Sequence, residues 1–297
     1  MKSEKLGREI QGAGNGTKKL KAERMDLEKL DSKAVVDVKR KRPMVQTKSH
    51  GFRLTERDIE LLGFLLDQKF ASLEQLYFRF FDVRSKVTDE LPQNLFVTRQ
   101  RLQVLRRAGL VATEKVFSES KSLYLLTSLG FQIFRARRPH DAFAFPAKDV
   151  DFRNYDHDTK VNDCRIAIER TGKVMKWLPE RRLRAQGFES EFSWSELPKE
   201  LVPDGIFISK KNGDRIAFEI ETTPRKKSRY EEKRDGFLSV MTGKNPLIHR
   251  VIWVGFTDRV FSDLTAVAGK QPQFSVESYS HFLSKLWPRG VSERIKP

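Results

Sequence analysis

With 297 residues, 38% of them apolar and 33% charged, the chain is long enough for about two domains with real cores beneath a heavily charged surface. A net charge of +17 and a pI near 9.9 imply a polyanionic partner, of which nucleic acid is the expected kind. The single cysteine, Cys164, excludes an internal disulfide framework and a multi-cysteine zinc site, and the longest compact apolar run, residues 61–66, falls far short of the ~20 residues of a spanning helix.

From the N-terminus, MKSEKLGREIQ is basic but has no apolar stretch behind it, so no signal peptide is expected. The expectation is a cytoplasmic protein associated with the nucleoid or a plasmid, with no membrane partner. Residues 1–50 contain GAGNG and the run Lys39, Arg40, Lys41, Arg42, Pro43, with few large apolar side chains. Such a segment cannot offset its ordering entropy by burial and reads as a basic, mostly disordered tail, with a short helix possible over 20–30. The basic run is either a solvated linker or a phosphate-binding arm; a nuclear signal is the weaker alternative.

Residues 51–140 read as helices closed by a hairpin. Thr55 is a good N-cap for a helix over 56–67, where Ile59, Leu62, Leu65 and Leu66 recur at helical spacing. Ser72 caps a second short helix. A third spans 97–108, with Leu102 and Leu105 inward and Arg99, Arg101, Arg106 and Arg107 on the rest of its surface; Gly109 stops it. Two short strands, 110–117 and 122–126, flank the polar stretch SESKS, which carries Lys121. Three helices and a two-stranded wing make the winged helix-turn-helix pattern. The arginine-studded helix would lie in a major groove, and the wing would reach adjacent phosphates. The bland alternative is that these arginines only solvate an amphipathic face. A fourth helix from Ser128 packs back on this region, and the proline-bearing stretch 141–155 reads as a linker.

The remainder, 156–297, reads as an α/β sandwich on a mixed sheet. A helix over 158–170 buries Val161, Cys164 and Ile168. Strands over 202–209 and 215–222 are joined by the turn residues Lys211, Asn212, Gly213 and Asp214. A helix beginning at Pro224 leads to an apolar strand over 250–256, then to a helix from about Asp258 and a weaker strand over 273–277. Glu219 and Glu221, two apart on a strand, project from one face, and Asp204 lies on the paired strand after Pro203. Three carboxylates converging near a hairpin make a hard-oxygen site suited to Mg²⁺ or Mn²⁺, with Lys226 and Lys227 following in the next helix. The alternative is an edge strand whose alternating glutamates merely face solvent.

Pro203-Asp204-Gly205, then Glu219-Ile220-Glu221, then a basic helix start, resembles the PD-(D/E)xK restriction-endonuclease-like superfamily. With the preceding winged helix and Val161-Asn162-Asp163, the chain is similar to the replication-relaxation proteins, themselves related to the MOB-C-type relaxases of mobilisable plasmids. The resemblance covers about residues 52–256. It implies DNA binding through the winged helix, other proteins of a replication or mobilisation complex as partners, and a nuclease-like domain that nicks or relaxes DNA. It further implies Asp204 and Glu219 as metal ligands. Glu221 stands where the superfamily usually has its lysine, a role that Lys226 or Lys227 would then take. An acid from the first helix region, Glu169 or Glu180, would complete the site. Tyr230 is expected to pack or to contact phosphate rather than to act as a nucleophile. The pair His157-Asp158 is expected to belong to a helix-capping cluster. The five histidines are too scattered for zinc, and no glycine-rich phosphate loop occurs. Two other functions fit the same features: a DNA-binding regulator or replication accessory whose nuclease fold is silent, and a structural partner whose winged helix docks protein.

Overall fold

The structure is a computed structural model that describes residues 53–82, 94–116, 121–185, 197–242 and 245–286, all within one compact unit, Arg53–Pro297. The expected basic tail, its KRKRP run and most of SESKS lie outside the described residues.

Helix α1 (Glu56–Gln68) starts at a capping box. Thr55 Oγ1 accepts from the Asp58 amide at 3.3 Å, and the Asp58 carboxylate accepts from the Thr55 amide at 2.7 Å. A second capping box, Ser72 with Gln75, opens α2 (Leu73–Leu76), which runs on into a π-helical turn, Tyr77–Phe81. Helix α3 (Asn94–Arg107) begins three residues earlier than its apolar spacing predicts and buries Thr98, Leu102 and Leu105. The expected hairpin forms as β2 (Val111–Glu114) and β3 (Leu123–Leu126). A three-residue strand, β1 (Phe70–Ser72), pairs with β3, giving an antiparallel sheet in the order β1-β3-β2. That strand was not expected, because three residues are too few to show alternation. Helix α4 (Ser128–Arg137), capped by Thr127, packs against α1.

The second sheet follows α5 (Tyr155–Arg170). Its order is β4-β5-β6-β7-β8, from β4 (Val174–Pro179), β5 (Gly205–Ser209), β6 (Arg215–Glu221), β7 (Arg250–Gly255) and β8 (Phe274–Ser278). Neighbours are antiparallel from β4 to β6 and parallel from β6 to β8. Between strands lie α6 (Glu180–Arg184), α7 (Lys227–Val240) and α8 (Asp258–Ala268), and α9 (Tyr279–Leu286) follows β8. The chain is thus a mixed α+β protein with one antiparallel and one mixed sheet. Strand β4 and helices α6 and α9 were not expected, and α7 starts at Lys227 rather than Pro224. Ile206, Ala217, Val251 and Trp253 of the sheet pack with Tyr230 and Phe237 of α7 to form one core.

Helix α5 belongs to both halves of this architecture. Asn162 donates to the Phe70 carbonyl at 2.8 Å, and Arg165 donates to Asp67 at 2.9 Å. Asp163 accepts from Gln75 at 2.8 Å and from the Tyr279 hydroxyl at 3.0 Å. Polar side chains buried this deeply stabilise only when paired, so these bonds fix α5 against β1, α2 and α9 together.

Candidate functional site

The β5–β6 hairpin builds the site. Its last pair toward the open end is Gly205 with Phe218, so Asp204 stands next to Glu219 across the ladder. One Asp204 oxygen accepts from the Ile220 amide at 2.8 Å, which holds the carboxylate against β6. Gly205 is required here: a Cβ would lie 2.3 Å from the Trp177 ring of β4, so only glycine lets Asp204 enter the strand at this height. Glu219 and Glu221 share a face of β6, as their spacing dictates, but that face is covered rather than solvated, leaving them 3% and 4% exposed. The solvent-facing alternative therefore does not hold.

What covers them is Lys233 of α7. Its Nζ lies 2.8 Å from Glu219 Oε2 and 3.5 Å from Glu221 Oε1, and the ammonium is held well above its ordinary pKa: burial opposes the charge, but the acids outweigh it. Arg225 donates to the other Glu221 oxygen at 2.9 Å. The expected lysines sit elsewhere. Lys226 is the exposed N-cap of α7, and Lys227 faces Glu231 at 3.8 Å. The signal for Lys233 was available in the sequence: with Tyr230 and Phe237 it follows the i, i+3, i+7 spacing of the helix's buried stripe.

Burial, reinforced by the Asp204 and Glu221 charges, pushes Glu219 up to about 8 against the pull of Lys233. Its Oε1 is buried without a hydrogen-bond partner. Asp204 is held below its ordinary value, because burial is outweighed by His157, Lys233 and the Ile220 amide.

His157 stands in the first turn of α5 between Asp156 and Asp158, as the capping reading expects, but no side chain caps the helix and the His157 ring turns to Asp204 as well. Asn154 is the N-cap of α5, and His157 lies with Nε2 3.3 Å from Asp204 and Nδ1 3.6 Å from Asp158. Burial works against the imidazolium, yet the two carboxylates lift it to about 11. Lys69, the only non-glycine with positive φ among the described residues, extends the chain of charges by reaching Asp158 at 2.8 Å. Lys69, His157, Asp158, Glu180, Arg181 and Asp204 line one pocket. Of the two candidate acids, Glu180 lines the same pocket as Asp204 and its amide donates to the Asp204 carbonyl at 3.1 Å, but its carboxylate accepts from Arg184 at 2.7 Å. Glu169 is engaged by Arg79 and Arg165. Tyr230 is 1% exposed, packs edge-on against Trp253 and accepts from the Arg225 amide. It is a packing residue, as expected.

Among the described residues, no group of three or more His, Cys, Asp or Glu side chains is arranged to hold a metal ion. Asp204 and Glu219 still fit one. Mg²⁺ is ordinarily held by one or two carboxylates together with substrate phosphates and water, and Glu219 keeps an unpartnered buried oxygen.

The arginines of α3 divide. Arg99, Arg106 and Arg107 are exposed. Arg101 instead turns to the wholly buried Asp58 of the first capping box, with Nε 2.9 Å from Oδ1 and a second bond to Oδ2. Lys121 is exposed and pairs with Glu74 at 2.8 Å. No helix of the described residues is long and apolar enough to cross a membrane.

Fold and site thus define a mixed α+β protein with an exposed basic helix and a buried acid cluster around one lysine. The chain belongs to the replication-relaxation family, whose model matches residues 62–248 and so covers α3, Asp204, both glutamates and Lys233. No curated protein matches it.

Proposed function

We propose that the protein binds DNA and, with Mg²⁺ or Mn²⁺, nicks or relaxes it during replication or mobilisation of a plasmid or other mobile element. The observation that carries this reading is the pairing of Asp204 with Glu219 beside Lys233, one glutamate oxygen being buried and unpartnered. The helix, three antiparallel strands, helix and parallel strand from α5 to β7 support a restriction-endonuclease-like reading of this half. The order α1-β1-α2-α3-β2-β3 supports a winged helix in the other, with α3 as the recognition helix.

In this reading Asp204 and Glu219 would hold the ion, which when bound would polarise the phosphodiester and lower the pKa of a water. Glu221, itself held by Arg225, and Glu219 fix Lys233, so that its ammonium would offset charge gathering on the phosphate. His157 holds Asp204 ionised, while the Ile220 amide keeps it oriented toward β6. A second reading, a DNA-binding accessory with a silent nuclease fold, is favoured by Lys233 itself, which already neutralises the acids a metal needs.

Supercoiled plasmid incubated with Mg²⁺ or Mn²⁺ separates the two. Nicking that Asp204→Asn and Lys233→Met each abolish, with duplex affinity retained, is the expected result. Binding without nicking under either metal establishes the accessory role.

A further inference from the structure

Helix α3 has a chemistry along its outward centre line that the phosphate-binding role of its arginines does not use. At 3.6 residues per turn, Phe96, Gln100, Gln103 and Arg107 fall within an arc of about 60°, opposite the buried Thr98, Leu102 and Leu105. All four are exposed, Phe96 at 65%. Arg99 and Arg106 flank this line on the side near Tyr124 of β3. Among the described residues, no side-chain hydrogen bond engages Gln100 or Gln103, and no ion pair engages Arg99, Arg106 or Arg107. A phenylalanine so exposed in a helix costs solvation unless something covers it, and two unpaired glutamines in register with it present amide forks to the same partner.

Resting on the DNA-binding reading above, we propose that α3 is a sequence reader whose outward face, Phe96 with Gln100 and Gln103, selects A·T base pairs in the major groove. A glutamine amide donates and accepts in the pattern that matches adenine N7 and N6, and an aromatic edge packs on the thymine methyl, which no other base carries. The rise from Phe96 to Gln103 is about 10 Å, the span of roughly three base pairs. The residues nearest the start of a recognition helix are those that meet base edges; Phe96 and Gln100 occupy that part, and Gln103 follows about one turn further on the same face. Arg99 and Arg106 on one flank, and Arg107 at the C-terminal end of the line, then fall on backbone phosphates and hold the register. The charge complementarity of this flank commits the face to a duplex rather than to a protein, whose apolar patch would not call for three unpaired guanidinium groups around it.

Selection of the full-length protein on a randomised 16-base-pair duplex library tests this. Two or three adjacent A·T pairs are expected to enrich, and exchanging them for G·C in the selected duplex is expected to weaken binding at least about tenfold. The Gln100→Ala/Gln103→Ala protein, unchanged in thermal unfolding because both side chains are exposed, is expected to lose that preference while keeping its affinity for unselected duplex. Phe96→Ala is expected to relax the thymine preference at one position. Equal binding of all duplexes by the parent, or a preference that survives in the double variant, overturns base reading and leaves DNA binding standing. Failure to bind any duplex at low salt overturns both.

Discussion

Asp163 is 8% exposed where α5 meets α2 and α9, and burial pushes its carboxyl up to about 6 although Gln75 and Tyr279 both donate to it. A carboxyl whose folded value lies above its ordinary 3.8 favours the fold while neutral. That contribution is fully present below about pH 4 and is lost as the pH rises through about 6. An asparagine keeps one acceptor for the Gln75 amide, offers its own N–H to the Tyr279 hydroxyl, which can accept, and cannot ionise. The Asp163→Asn protein is therefore expected to gain on its parent by about 3 kcal/mol between pH 4 and pH 8, read by urea unfolding across that range. A constant difference would mean that the carboxyl titrates at its ordinary value. Legibility at this scale follows distance along the chain. Asp204 and Glu219 are joined by one hairpin, so alternation and turn chemistry bring them together on paper. His157 reaches Asp204, and Tyr279 reaches Asp163, only because α5 crosses the sheet, and no local pattern encodes that crossing.

At the scale of elements, α3 shows what helical spacing can and cannot separate. Its four arginines look equivalent in sequence, and three of them are exposed as expected. Arg101 differs because Asp58, 43 residues earlier, offers a buried carboxylate that already closes the Thr55 capping box. Removing the guanidinium strands that carboxylate, so Arg101→Ala is expected to cost about 3 kcal/mol of stability. Arg106→Ala is expected to stay within about 0.5 kcal/mol and to weaken duplex binding instead. Denaturant unfolding of the two proteins, with duplex affinity measured alongside, checks the division; equal stability losses would place both arginines in the same role. Strand β4 was illegible for a related reason. Only Trp177, Leu178 and Pro179 of its six residues are buried, its register shifts between Val174 and Lys176, and an edge position tolerates the lysine and the proline that obscure the alternation.

For the whole molecule, the composition carries the strongest expectation, since +17 in 297 residues is an electrostatic statement independent of the fold. The structure shows that many of the described cations are already spent internally: Arg101 on Asp58, Arg165 on Asp67 and Glu169, Arg170 on Asp82, and Lys233 on the glutamates. The charges left to face a polyanion are those without such partners, and on α3 these are Arg99, Arg106 and Arg107. Each phosphate neutralised releases condensed counterion, so the logarithm of affinity falls linearly with the logarithm of salt, by about 0.9 per contact on duplex DNA. Duplex affinity of the parent is therefore expected to fall steeply between low and moderate salt. Removing Arg106 and Arg107 together is expected to flatten that slope by about two contacts' worth, at selected and unselected sequences alike. The Gln100→Ala/Gln103→Ala protein should keep the parental slope, because base contacts release no counterions. A slope unchanged by loss of both arginines would put the phosphate contacts on some other face of the protein, and α3 would no longer serve as its DNA-binding element.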